Sequence, residues 1–262
     1  MPIESASQWL CVLLGVSLLQ QTAEYWKIAS WPETRAVFWW PTQQRDVAHT
    51  WPWLQKFLAW MYSQRVHQAH LLVRAVLAAS LMVQPTIFSS VVLFLGTVIL
   101  LIRWRGAFNG GSDFMTLVAL TGLLIASLSE PWIGATFAWK AALWYVTLHA
   151  MTSYFVSGAV KLLSVQWRNG QALTYFLDGG LYGPLPAGSW LRSRPVAVLS
   201  SWAFIVWEIS FPLALISPQW AWSYCAIAAC FHLLVFRFFG LNRFVWAWIT
   251  SFPAIVYGSS NW

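Results

Sequence analysis

Along the chain, apolar runs long enough for helices alternate with short polar or basic segments. A crossing helix needs about 20 mainly apolar residues, fewer where the bilayer thins. By that measure the sequence predicts about eight crossings, over 8–26, 70–83, 86–102, 114–129, 137–163, 196–216, 220–239 and 244–257. If 70–102 were one helix it would be about 50 Å long, which overshoots the bilayer. Gln84-Pro85 divides it, so a tight helical hairpin is expected. The segment 27–69 is a polar, Trp-rich loop. Within it Trp53, Phe57, Trp60 and Met61 share one helical face, Thr50 is placed to cap, and Pro52 suits a first turn. This predicts a helix lying in the membrane interface. The alternative is a loop packed on the bundle.

Composition sharpens this picture. Of 262 residues, 59% are apolar and only 9% are charged, against about 25% charged in an average soluble domain. So few charges cannot cover a water-facing surface, and lipid must cover the rest. The expected fold is all-α: one integral membrane domain over 1–262, a polytopic helical bundle with the lipid bilayer as its first partner. A net charge of +7 would point to nucleic acid in a soluble protein. Here the cations sit between apolar runs and read as topology signals and headgroup contacts, so no nucleic-acid partner is expected. The 21 Trp suit the interface, where an apolar ring meets a wet N–H; pigment or quinone contacts are the alternative. Cys11, Cys225 and Cys230 all lie in apolar stretches, and buried inert thiols are expected rather than a disulfide framework. The acidic start at Glu4 does not resemble a cleavable signal peptide.

Lys and Arg collect in alternate loops. Lys27, Arg35, Arg45, Lys56, Arg65 and Arg103 fall on one side with Arg168, Arg192 and Arg243, while Lys140 stands on the other. The positive-inside rule then places the basic loops in the cytoplasm and both termini outside. The expected location is a bacterial inner membrane.

Ionisable groups within a membrane are costly and mark candidate sites. Glu24, Arg74, His149, Lys161, Glu208 and His232 are such groups. Each has a structural alternative. Glu24 and Arg74 can snorkel from span ends, His149 can bond across helices, and Glu208 can pair with Arg74. Lys161 gives the sharpest pattern: Tyr154, Ser157, Gly158 and Lys161 occupy one face at i, i+3, i+4 and i+7. That face is small and polar, fit to line a cavity. Desolvation there favours an uncharged amine, which can abstract a proton. A lysine snorkelling to the interface is the plainer alternative.

The stretch Tyr154-Phe155-Val156-Ser157-Gly158-Ala159-Val160-Lys161-Leu162, followed by Trp167 and Gly170, resembles the signature helix of vitamin K-dependent γ-glutamyl carboxylases. It is also similar to their bacterial relatives, the HTTM (horizontally transferred transmembrane) family. The similarity extends to Asn109-Gly110-Gly111-Ser112-Asp113, to Trp207-Glu208-Ile209-Ser210-Phe211-Pro212 and to Phe231-His232-Leu233, and so covers about 70–258. The resemblance implies a quinone-dependent carboxylase or epoxidase chemistry, in which Lys161 deprotonates a reduced, vitamin K-like quinone. Oxygen then generates a strong base that removes a proton from glutamate, and the carbanion captures carbon dioxide. Tyr154, His232 and Glu208 join Lys161 as implied catalytic residues. Ser157, Gly158, His149, Asn109 and Asp113 are implied to contact the cofactor, and no metal is expected. The chain departs from the carboxylases at 110–114, which lacks their histidine. They also carry a large C-terminal domain, and their lysine end faces the lumen, opposite to the charge pattern here. Two other classes therefore stand beside the enzyme: a non-catalytic subunit of a respiratory or photosynthetic membrane complex, with His149 or His232 on a haem or chlorophyll metal, and a maturation or immunity factor with a small partner.

Overall fold

A computed structural model describes residues 1–30, 40–104 and 110–261. Among them the chain is helical and contains no strand. The helices are α1 (Ile3–Ser30), α2 (Pro52–Met61), α3 (Gln64–Leu81), α4 (Ile87–Trp104), α5 (Gly110–Ile133), α6 (Ala135–Leu163), α7 (Gln171–Asp178), α8 (Arg194–Ile209), α9 (Pro218–Phe239), α10 (Asn242–Ile249) and α11 (Phe252–Gly258). Single helical turns lie at Trp40–Gln43 and Val165–Arg168. Four helices, α1, α4, α5 and α9, are long and apolar enough to cross a membrane. They mark an integral membrane protein. The outward faces carry Val76, Phe88, Trp132, Phe137 and Leu199, which suits lipid contact.

Punctuation follows local chemistry. The hairpin between α3 and α4 turns at Gln84-Pro85, as the sequence predicts. The run predicted over 114–129 does not stop before Glu130-Pro131. Pro131 stays inside the last turn of α5, and the chain breaks at Gly134, whose φ of 78° favours a residue without Cβ. The run 196–216 ends its α-helix at Ile209, before Pro212, and continues as the 3₁₀ segment Phe211–Leu215. The run 244–257 splits into α10 and α11 before Pro253. Ser217 caps α9, accepting from the Trp220 N–H, and Gly240 closes it at φ 69°.

Helix α2 forms where the amphipathic pattern predicts it. Its N-cap is Trp51 rather than Thr50, whose hydroxyl donates instead to the Val47 carbonyl at 2.7 Å. Trp53, Phe57 and Trp60 face outward, whereas Met61 packs inward with Leu58 and Tyr62. Cys11 and Cys225 are buried, but Cys230 is exposed on an outward face of α9.

Two features position the site. The first is the packing of α6 against α5 and α8, around a core that includes Leu143, Val146, Tyr154, Trp207 and Phe211. The second is Gly158. A Cβ there would lie 2.6 Å from the Ile209 nitrogen and 2.8 Å from the Glu208 Cβ. Only glycine lets α6 and α8 approach this closely.

Candidate functional site

That close approach sets Glu208 of α8 opposite Lys161 of α6. The Lys161 ammonium donates to Glu208 Oε2 at 2.7 Å and to Oε1 at 2.9 Å. It donates also to Ser157 Oγ, one turn back on the same helix. Ser157 passes its own hydrogen to Glu208 Oε1 at 3.2 Å. The indole of Trp167 lies 5.2 Å from Nζ and gives the amine an aromatic face. The Glu208 side chain is only 3% exposed and that of Lys161 15%. Lys161 therefore does not snorkel, and Glu208 pairs with it rather than with Arg74. The expected lone desolvated amine is replaced by a buried, hydrogen-bonded pair.

Two turns deeper, the Tyr154 hydroxyl and His232 Nε2 are 2.7 Å apart. Tyr154 stacks on Phe211 at 3.9 Å, and the His232 ring stacks on Trp248 at 5.2 Å. Both rings are fixed by aromatic packing, and His232 Nδ1 has no hydrogen-bond partner among the described residues. His149, at the middle of α6, bonds through Nδ1 to the Tyr145 carbonyl of its own helix at 2.9 Å, not across helices.

These groups share one cavity of about 610 Å³, lined by His149, Ser153, Tyr154, Ser157, Lys161, Glu208 and His232 together with Phe231, Phe244 and Trp248. A second chamber of about 420 Å³ lies beyond it, among Trp167, Phe176, Trp190, Phe204 and Phe238. Lys161 and Phe231 border both. Of the residues singled out in the sequence, Lys161, Tyr154, His232, Glu208, Ser157 and His149 thus come together. Gly158 turns away from the cavity to the α8 backbone. Asp113 pairs with Arg243 and does not line it. Asn109 lies outside the described residues. Among the described residues no group of three or more His, Cys, Asp or Glu is placed to hold a metal ion.

A second polar centre was not evident from sequence. Arg243 reaches Asp113 at 3.0 Å, Glu24 at 3.5 Å and the Tyr25 hydroxyl at 2.8 Å, tying α10 to α5 and α1. Arg74 is 2% exposed and does not snorkel. Its guanidinium donates to Gln21 Oε1 and Thr22 Oγ1, each at 3.1 Å, and to Thr97 Oγ1. Gln21 in turn donates to Thr116 at 2.9 Å. The signal available in sequence was the set of polar residues Gln21, Thr22, Thr97 and Thr116 inside apolar runs. Each demands a buried partner. Comparison with family models, characterised proteins and solved structures finds no match to this chain.

Proposed function

We propose that the chain is an eight-crossing, HTTM-type membrane enzyme of the carboxylase-like class, that it uses a lipid-soluble reduced quinone, and that the Lys161–Glu208 pair is its proton acceptor. The observation that carries this reading is the place of Lys161, where a polar cavity meets an aromatic chamber. A ring bearing polar substituents and an apolar chain matches that division, with the ring beside the pair and the chain among Trp167, Phe204 and Phe238. An even number of crossings is supported by the meeting of the chain's ends, where the Met1 amine donates to Ser260 Oγ at 3.2 Å.

Bound there, a reduced quinone would supply electrons for reaction with oxygen. The chain's own residues handle protons. Lys161 and Glu208 hold one proton between them, as ammonium and carboxylate or as amine and acid. A hydroxyl proton from a ligand can therefore pass to Nζ or to a Glu208 oxygen, depending on which is free. Ser157 holds Nζ against the carboxylate. The rings of Phe231, Phe244 and Trp248 keep water away, which strengthens each of these interactions.

The test is oxygen-dependent epoxidation of a reduced naphthoquinone by purified protein in nanodiscs. Wild type is expected to turn over, and Lys161→Ala to lose at least about a hundredfold in rate, the lower range for a general base. Lys161→Arg keeps a cation beside Glu208 but holds its proton on the guanidinium, so activity in that variant assigns the acceptor to Glu208 and its loss assigns it to Nζ. Activity that survives Lys161→Ala, or none in wild type with any quinone tried, sinks the reading.

A further inference from the structure

The chain has five histidines, and the fold treats one of them differently from the rest. His49 is exposed in the polar loop. His67 and His70 keep both ring nitrogens dry inside the bundle. His232 spends Nε2 on Tyr154, and its Nδ1 is buried. His149 is the one that offers an open nitrogen from a long helix. It stands fourteen residues from either end of α6, is only partly buried, and lines the cavity. With α6 crossing the bilayer as proposed, its 29 residues span about 44 Å and His149 falls near the bilayer centre.

The ring is set to give an electron pair. A carbonyl only accepts, so the 2.9 Å contact to the Tyr145 oxygen fixes the hydrogen of His149 on Nδ1. In the neutral ring Nε2 then carries a lone pair. The Tyr145 ring packs on the imidazole at 4.1 Å between centroids and holds it in place. An anchored Nδ1–H behind a free Nε2 is the arrangement that metal-bound imidazoles use. No neighbour among the described residues answers the lone pair. Ser153 spends its hydrogen on the His149 carbonyl at 2.7 Å, the exposed Thr152 makes no bond to the ring, and the Trp248 Nε1–H of the same lining does not reach it. Near the bilayer centre no water takes their place, and an unanswered acceptor there is costly.

One histidine cannot hold a bare ion, and among the described residues no group of three or more His, Cys, Asp or Glu is placed to help it. A bare cation would also carry its charge into lipid. A divalent metal held in a dianionic macrocycle escapes both limits. Its ring ligands come with it, its charge is balanced, and an axial position is open to a nitrogen lone pair. The lining suits a flat, apolar disc. Gly111, Thr152 and Ser153 are small, and Phe114 and Val156 are about half exposed, where they can meet both disc and lipid.

We propose that His149 Nε2 is the axial ligand of a lipid-soluble metallo-tetrapyrrole, of haem or chlorophyll type, seated from the bilayer against the outer part of the cavity. The bond is a donated electron pair, with no change of oxidation state. Lys161 lies twelve residues further on, about 18 Å along the helix, so the site stands apart from the ion pair and does not rest on the enzyme reading.

The test titrates the full chain in nanodiscs with ferrous protoporphyrin and, separately, with chlorophyll a, and empty nanodiscs correct for partition into lipid. Axial ligation is read from the absorption bands and from the coordination-sensitive lines of the resonance Raman spectrum. Wild type should bind one tetrapyrrole per chain with an imidazole-ligated spectrum. Ligation of iron only assigns a haem-type ligand, of magnesium only a chlorophyll-type one, and of both the shared chemistry. His149→Leu should lose that spectrum and about tenfold or more in affinity, with unfolding temperature and secondary structure kept. His149→Gly should lose the spectrum and regain it on addition of imidazole, which separates loss of the ligand from loss of the fold. His49→Leu, in the polar loop, should change nothing. An inactive wild type that still ligates a tetrapyrrole defeats only the enzyme reading. No saturable binding in either arm, a ligated spectrum that survives His149→Leu or is lost in His49→Leu, or no rescue of His149→Gly by imidazole overturns the proposal.

Discussion

Replacing Glu208 with leucine isolates the energetics of the pair. In Glu208→Leu the Lys161 amine keeps its Ser157 bond but loses two charge-assisted bonds, in a site where its side chain is only 15% exposed. Removing one partner of a buried pair typically costs about 3–5 kcal/mol, because the other charge is left without compensation. For a chain of this size that corresponds to a fall in unfolding temperature of roughly 6–20 °C, at about 2–4 °C per kcal/mol. The double change Lys161→Met with Glu208→Leu removes both charges and fills the space with apolar atoms. It should recover most of the loss, as buried ion pairs replaced by packed hydrophobes commonly do. The assay is thermal unfolding in one detergent for wild type, both single variants and the double, read as a double-mutant cycle. A Glu208→Leu loss below about 1 kcal/mol, the range of an exposed pair, would refute the buried pair. So would a double variant whose loss equals the sum of the singles, because the two groups would then be energetically independent.

Gly158→Val should lower stability by about 1–3 kcal/mol or more, since overpacking here meets the backbone nitrogen of Ile209 rather than a movable side chain. Gly122→Ala is the control: its nearest neighbour is the Val146 side chain, so its loss in the same thermal assay should be smaller. For topology, a reporter active only outside the cytoplasm should be active when fused after Asn261 and silent when placed near His49. The reverse pattern would overturn the orientation read from the basic loops.

The helices were legible in sequence because lipid-facing and core-facing residues are both apolar, so length and breaks carry the signal. The same uniformity hid the packing faces: nothing in the run 137–163 distinguishes Gly158, pressed on the α8 backbone, from Ser157, one residue away and in the cavity. Gly158 was therefore read as a cavity contact when its role is to admit Glu208. Proline placed a break well at Gln84-Pro85 and a first turn at Pro52, but the run 244–257 was read straight through Pro253, where the helix divides, and the run 114–129 was ended before Pro131, which the last turn of α5 tolerates while Gly134 supplies the turn.

Ionisable residues were legible as important but not as partners, because pairing depends on which helices touch. In sequence Glu208 was matched with Arg74, and only the α6–α8 approach gives it Lys161 instead. Arg74 is left to neutral oxygens of α1 and α4, and Arg243 gathers the carboxylates Glu24 and Asp113. On the proposed reading, the buried cations divide their work. Arg243 ties α1, α5 and α10 together through partners outside the cavity lining. Lys161 and Glu208 form an ion pair that lines the cavity itself, within reach of a ligand. An ion pair needed only to hold helices together gains nothing from bordering two chambers. One that must exchange a proton with a lipid-borne molecule has to stand where that molecule can arrive.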